Sequence, residues 1–161
     1  MCSSDLNMTQ AAGFYNTLIE GDQPALVVEC LNGYRLKEQL PTNIGAFKTP
    51  IGKVDVLKTG GDITVVSYGS TLRLVEKAAA ELLEVNIDVE VIDAQSLIPF
   101  DLEHGVLESV KKTNRLMIID EDVPGGASAY LLDHILNTQQ AFNYLDSPPQ
   151  TLTAKIGRAH V

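Results

Sequence analysis

Asp62-Ile-Thr-Val-Val-Ser-Tyr-Gly-Ser70 opens the decisive stretch, and Ile87-Asp-Val-Glu-Val-Ile-Asp-Ala-Gln-Ser-Leu-Ile-Pro-Phe-Asp101 closes it. Residues 63–67 are β-branched and mostly apolar, the pattern of a strand covered on both faces. Gly69 turns the chain, and Ser70 stands where a hydroxyl N-caps a helix. Leu74, Val75, Ala78, Ala79 and Leu82 then recur at helical spacing as the predicted buried stripe, with Arg73, Glu76, Lys77, Glu81 and Glu84 facing water. Asn86 suits the helix exit. Residues 88–93 form the second strand. Strand, helix and parallel strand commit the fold to helices layered on a sheet.

The pattern continues downstream. Pro99 marks a loop, and Asp101 is expected to cap a second helix with Leu102, Val106, Leu107 and Val110 buried. Lys111 and Lys112 fall in its last turn, where cations complement the helix dipole. Residues 115–120 read as a third strand. Pro124-Gly125-Gly126 leads into a helix over about 127–136, and 151–155 as a fourth strand. Upstream, 7–20 reads as a helix, with Ala11, Ala12, Tyr15 and Leu18 or Ile19 at helical spacing and Gly21 at its stop. Residues 24–30 read as a short apolar strand. Pro41, Asn43, Gly45 and Pro50 punctuate a linker, which puts a domain boundary near Pro50, and 51–57 reads as a further short strand. The fold class is α/β, an open and mostly parallel doubly wound sheet.

The two ends read differently. Back-translated, 156–160 is the reverse complement of codons for Val-Cys-Ser-Ser-Asp, and a GTG start is translated as Met, which reproduces 1–5. Residues 1–6 and 156–161 are therefore read as translated adapter around a short DNA insert and are excluded from the reading of the fold. The expected organisation is 7–49 as the tail of one domain with its linker, and 50–155 as an incomplete second domain.

Hydrophobic content of 45% with 20% charged residues is that of a core-forming chain. No apolar run approaches the roughly 18 residues of a membrane helix. A net charge of −9 disfavours nucleic acid as a partner. With Cys2 set aside, Cys30 has no second cysteine to pair with and reads as a small buried side chain.

On an open parallel sheet, ligands sit beyond the carboxyl ends of the strands. Three loops qualify. Tyr68-Gly69-Ser70-Thr71 offers amides at a helix start but lacks the spacing of a dinucleotide or ATP loop. Asp120-Glu121-Asp122 with Pro124-Gly125-Gly126 offers three acids, as in a phospho-acceptor receiver pocket. Such a pocket needs further acids where this chain has Ser67 and Tyr68, so an interface loop is the expectation and no metal site is assigned. Asp93-Ala94-Gln95-Ser96 is polar but holds no base–nucleophile pair. His104 and His134 lack zinc-ligand spacing and read as surface or interface histidines. The candidate residues are Gly69, Ser70, Asp120, Glu121, Gly125 and Gly126, as interface or loop positions. No catalytic or cofactor-binding residue is assigned.

The string 62–126 resembles the carboxy-terminal domain of the transketolase superfamily. More narrowly, it is similar to the β subunit, or the fused form, of the thiamine-dependent decarboxylating component of 2-oxo acid dehydrogenase complexes. The resemblance is carried by Val65-Val66-Ser67-Tyr68-Gly69-Ser70, Val89-Glu90-Val91-Ile92-Asp93 and Ser96-Leu97-Ile98-Pro99-Phe100-Asp101. It continues through residues 108–116 and Glu121 with Gly125-Gly126. Residues 23–31 resemble the last strand of that family's pyrimidine-binding domain. Two departures stand out: Asp120-Glu121-Asp122 replaces the usual His-Glu-Ala, and Cys30-Leu31-Asn32-Gly33-Tyr34 replaces a Glu-Pro-Lys stretch.

The resemblance implies oxidative decarboxylation of a 2-oxo acid, pyruvate or a branched-chain oxo acid, on thiamine diphosphate with Mg²⁺. It places the catalytic glutamate and histidine upstream and the diphosphate–Mg²⁺ motif in the other half. This stretch, inactive alone, is left with assembly against the α half, a second β chain and a lipoyl acyltransferase core, in a bacterial cytoplasm. The alternatives are another transketolase-type enzyme, a ketol transferase or deoxyxylulose-phosphate synthase, and a flavodoxin- or receiver-like binding module.

Overall fold

A computed structural model describes residues 2–4, 7–30, 37 and 42–155. The adapter-like close, much of the linker and the departure at 31–34 lie outside the described residues. The elements are β1 (Cys2–Ser4), α1 (Met8–Ile19), β2 (Leu26–Val28), β3 (Asp55–Lys58), β4 (Ile63–Ser67), α2 (Thr71–Leu83), β5 (Val89–Asp93), β6 (Ser96–Ile98), α3 (Gly105–Thr113), β7 (Leu116–Ile119), α4 (Ala127–Asp133) and β8 (Gln150–Leu152).

Five strands form the main sheet in the order β3-β5-β4-β7-β8. β4 runs parallel to both β5 and β7, and β8 is parallel to β7. Only β3 is antiparallel, pairing Asp55 with Asp93 and Val56 with Ile92. The sheet is the mostly parallel, helix-flanked one expected. Chain order moves from β4 to β5 on one side and then returns to β7 on the other, so the switch point lies at the carboxyl ends of β4 and β7.

Every residue of β5 is buried. One apolar cluster packs Val66, Ile92, Phe100, Val106, Val110, Ile118, Leu131 and Ile135 under α3 and α4. The other packs Val65, Val89 and Val91 against Leu72, Val75 and Ala79 of α2.

Several details correct the sequence reading. α2 buries Thr71, Leu72, Val75 and Ala79, whereas Leu74, Ala78 and Leu82 are exposed. The buried face is rotated because Leu72, in the first turn, is the residue that reaches the sheet. α3 begins at Gly105 instead of just after Asp101, which leaves Leu102 65% exposed. α4 ends at Asp133 and passes into a π-helical turn, His134–Thr138. The third and fourth strands shorten to Leu116–Ile119 and Gln150–Leu152, and the strand expected over 51–57 forms at Asp55–Lys58.

α1 starts as expected at Asn7, whose side chain accepts from the Gln10 amide. Its buried face is Gln10, Ala11, Gly13 and Phe14, while Tyr15 and Ile19 are exposed. The helix lies on residues 44–49: Asn16 Nδ2 donates to the Ile44 and Phe47 carbonyls, and Thr17 Oγ1 to that of Thr49. Cys30 is half-buried, short of the buried position expected.

A second sheet runs β2-β1-β6, with β1 parallel to β2 and antiparallel to β6. Residues 2–4, excluded from the sequence reading, supply its middle strand. Backbone pairing explains this, since unpaired strand edges accept any extended segment within reach.

Candidate functional site at the strand ends

β4 ends in Ser67, and Gly69 at φ 58° bends the chain into α2. That conformation is open to glycine without strain. β7 ends in Ile119, and Asp120, Glu121 and Asp122 follow before Gly125, at φ 94°, and Gly126 lead into α4. Two of the three candidate loops therefore meet at the switch point.

They are clasped together. Tyr68 Oη donates to Asp120 Oδ1 at 2.6 Å, Ser70 Oγ donates to Glu121 Oε2 at 2.7 Å, and Ser67 Oγ donates to the Ile119 carbonyl at 2.8 Å. Asp120 also accepts from the Asp122 amide at 3.0 Å and the Ser128 amide at 2.9 Å. Ser70 makes no N-capping hydrogen bond to α2, contrary to expectation. Its hydroxyl is turned across the crevice to Glu121.

Electrostatics follow from that geometry. Burial works to raise the Asp120 pKa, but the Tyr68 hydroxyl and the Asp122 and Ser128 amides outweigh it and hold the carboxyl below its ordinary range. Tyr68 is pushed well above a free phenol by burial, then by its bond to Asp120 and the charges of Asp120, Glu121 and Asp122. The pair is a fixed donor on a fixed acceptor, which suits a clasp better than proton transfer.

The third loop adjoins the first through its backbone, the Ala94 amide donating to the Ser67 carbonyl at 2.9 Å, but the Asp93 side chain bonds elsewhere. Asp93, fully buried at the end of β5, accepts from Gln10 Nε2 at 2.9 Å and from the Gln95 amide at 2.9 Å. Burial, with the charges of Asp55 and Glu76, pushes its pKa up to about 7 against the pull of those two donors. Beside it lies a cavity of about 230 Å³ whose walls include Gln10, Thr49, Asp55 and Gln95.

Sequence reasoning also passed over Glu90, buried in β5, which meets Lys112 Nζ and the Gly60 amide. An acid inside a fully covered strand was the available signal, because such a group needs a partner. His104 is exposed, and His134 packs edge-on against Phe100 at 5.5 Å.

Residues 52–160 match the transketolase, C-terminal domain family. The chain belongs to that family. The pyruvate dehydrogenase E1 component subunit beta of Rhizobium meliloti (strain 1021) is 38% identical over 146 residues, 90% of this chain and 31% of that protein. The acetoin:2,6-dichlorophenolindophenol oxidoreductase subunit beta of Bacillus subtilis (strain 168) is 34% identical over 92% of this chain and 42% of that protein. A solved structure described as a split gene transketolase, inactive beta4 tetramer, superposes with a TM-score of 0.77 at 20% identity, covering 99% of this chain and 49% of that one. That likeness establishes the fold. The chain spans less than half the length of these relatives.

Thiamine diphosphate with Mg²⁺ would need free oxygen ligands for the cation and donors for the diphosphate. Here both Asp120 oxygens and Glu121 are engaged across the clasp. Among the described residues no three His, Cys, Asp or Glu side chains converge as metal ligands. Among the described residues, the strand-end acids offer no such ligand set.

Proposed function

We propose that this chain is part of the β half of a thiamine diphosphate-dependent 2-oxo acid dehydrogenase, and that it supports assembly of the enzyme and carries out no chemistry itself. One observation carries the reading: 38% identity to a pyruvate dehydrogenase E1 β subunit over 90% of the chain. The internally clasped strand ends support it, because groups that bond one another are not held ready for substrate. In the proposed parent, thiamine diphosphate and Mg²⁺ are held by other parts. The α half, a second β chain and a lipoyl acyltransferase core are the partners, and the cytoplasm is the compartment.

Calorimetric titration with thiamine diphosphate and Mg²⁺ tests the reading. No saturable binding and no turnover of pyruvate or branched-chain oxo acids are expected from the chain alone. Micromolar binding, or turnover, would sink it. The Bacillus subtilis relative favours a second reading, in which the parent oxidises acetoin. Turnover of acetoin in preference to 2-oxo acids by the full-length parent would select it.

A further inference from the structure

We propose that the cavity between α1, residues 47–55 and the end of β5 binds a small organic cation, an ammonium group on a short apolar chain, held by the Asp55 carboxylate and the Gln95 side-chain amide. This goes beyond the proposed function, which assigns the chain no ligand of its own.

Asp55 and Asp93 stand directly opposite each other across the antiparallel pair β3–β5. Residues so opposed share one face of a sheet, and like charges there repel. Asp93 is fully buried, and its two oxygens accept from Gln10 Nε2 and the Gln95 backbone amide. Asp55 is exposed and lines the cavity, and its side chain has no hydrogen-bond or ion-pair partner among the described residues. Gln95 lines the same cavity and is only 6% exposed, yet its side-chain amide makes no hydrogen bond among the described residues. Burying an amide without a partner is costly, so such a group marks a place where something else bonds it. Gln95 also holds a φ of 55°, a left-handed conformation uncommon outside glycine.

The remaining walls choose the occupant. Phe47, Pro50 and Val54 give an apolar side that suits a short alkyl chain better than a metal ion with its waters. At about 230 Å³ the cavity falls below the roughly 300–1,000 Å³ of a drug-sized pocket, which restricts the ligand to a few carbons. Lys48 and Lys53 also line it, but each is paired with a carboxylate that does not: Lys48 with Glu20 at 2.5 Å and Lys53 with Glu103 at 2.9 Å. An anion would have to draw a lysine from its partner and approach two facing acids. An ammonium group meets Asp55 unpaired, relieves its repulsion with Asp93, and can donate to Gln95 Oε1.

NMR titration of the full chain with butylammonium chloride tests the proposal, at pH 8 so that Asp93 is ionised as well. Saturable shifts are expected in the side-chain amide signals of Gln95 and Gln10. Butyramide and butyrate, with the same number of carbons, should produce none. Asp55→Asn removes the repulsion across the strands, and Gln95→Gly suits the left-handed backbone, so both variants should fold. Each should weaken butylammonium binding by about tenfold, the loss of one charge-assisted hydrogen bond. Absence of a saturable shift, an equal response to butyramide or butyrate, or undiminished binding by Asp55→Asn would each overturn the site. The probe carries no phosphate and needs no Mg²⁺, so this reading and that of the thiamine diphosphate titration fail separately.

Discussion

Asp93 illustrates how a side chain becomes conditional on pH. Its folded pKa, about 7, lies above that of a free aspartate. As pH rises above about 4, the unfolded chain loses this proton while the folded chain keeps it, so the native state loses stability until Asp93 itself ionises near neutrality. The melting temperature of the wild type should therefore fall more between pH 5 and pH 8 than that of Asp93→Asn. Parallel curves would contradict this account. Tyr68→Phe removes the phenol that bonds Asp120 and should cost about 1 kcal/mol in chemical denaturation. The deficit should narrow as the solution is acidified. Asp120's depressed pKa contributes stability that is lost as pH falls through it, and the variant, by raising that pKa toward its unfolded value, has less of that stability to lose. The three polar loops could be read from residue types. Their pairing could not, since Gln10 and Asp93 stand 83 positions apart and no local pattern links them.

At the scale of elements, the helix starts were the hardest features to read. Asp101 does cap α3, but from four residues away. Its carboxylate accepts from the Gly105 and Val106 amides at 2.8 Å each and from Gln139 Nε2 at 2.9 Å. Asp101→Ala leaves two helix amides and a buried amide side chain without their acceptor. It should destabilise by about 2 kcal/mol or more. Leu102→Ser, at a position the sequence periodicity assigned to the core, should stay within about 0.5 kcal/mol of wild type. Denaturant titration of both variants checks the contrast. In α2 the spacing gave the helix correctly but not which of two adjacent apolar stripes faces inward. Both stripes are apolar, and the choice is made by contact with Val65, Val89 and Val91 of β4 and β5.

For the whole molecule, the strand pattern was sufficient for the architecture. Buried runs separated by amphipathic helices require a parallel sheet with a switch point, and β4, β5 and β7 form one. The antiparallel edge strand β3 had too short an apolar run to reveal its direction. The sheet also predicts an order of protection. Hydrogen exchange should be slowest in β5 and β4, which are buried along nearly their whole length, and fastest in β8, all of whose residues are exposed. Uniform protection across the five strands would contradict the layered packing.

Where Gly60 crosses β5, a Cβ atom would lie 2.3 Å from the Val89 carbonyl carbon. Gly60→Ala should therefore push β3 off β5 and cost several times a surface substitution.

The distance in sequence between β7 and β8 has a consequence for biosynthesis. β3, β4, β5 and β7 are all made before the chain continues through α4 and the turns after it, and only then does β8 emerge. At ribosomal speeds of about 5–20 residues per second, roughly thirty intervening residues leave the outer rim of β7 uncovered for seconds in each nascent chain. During that interval a neighbouring nascent polypeptide could pair with the rim that β8 later covers.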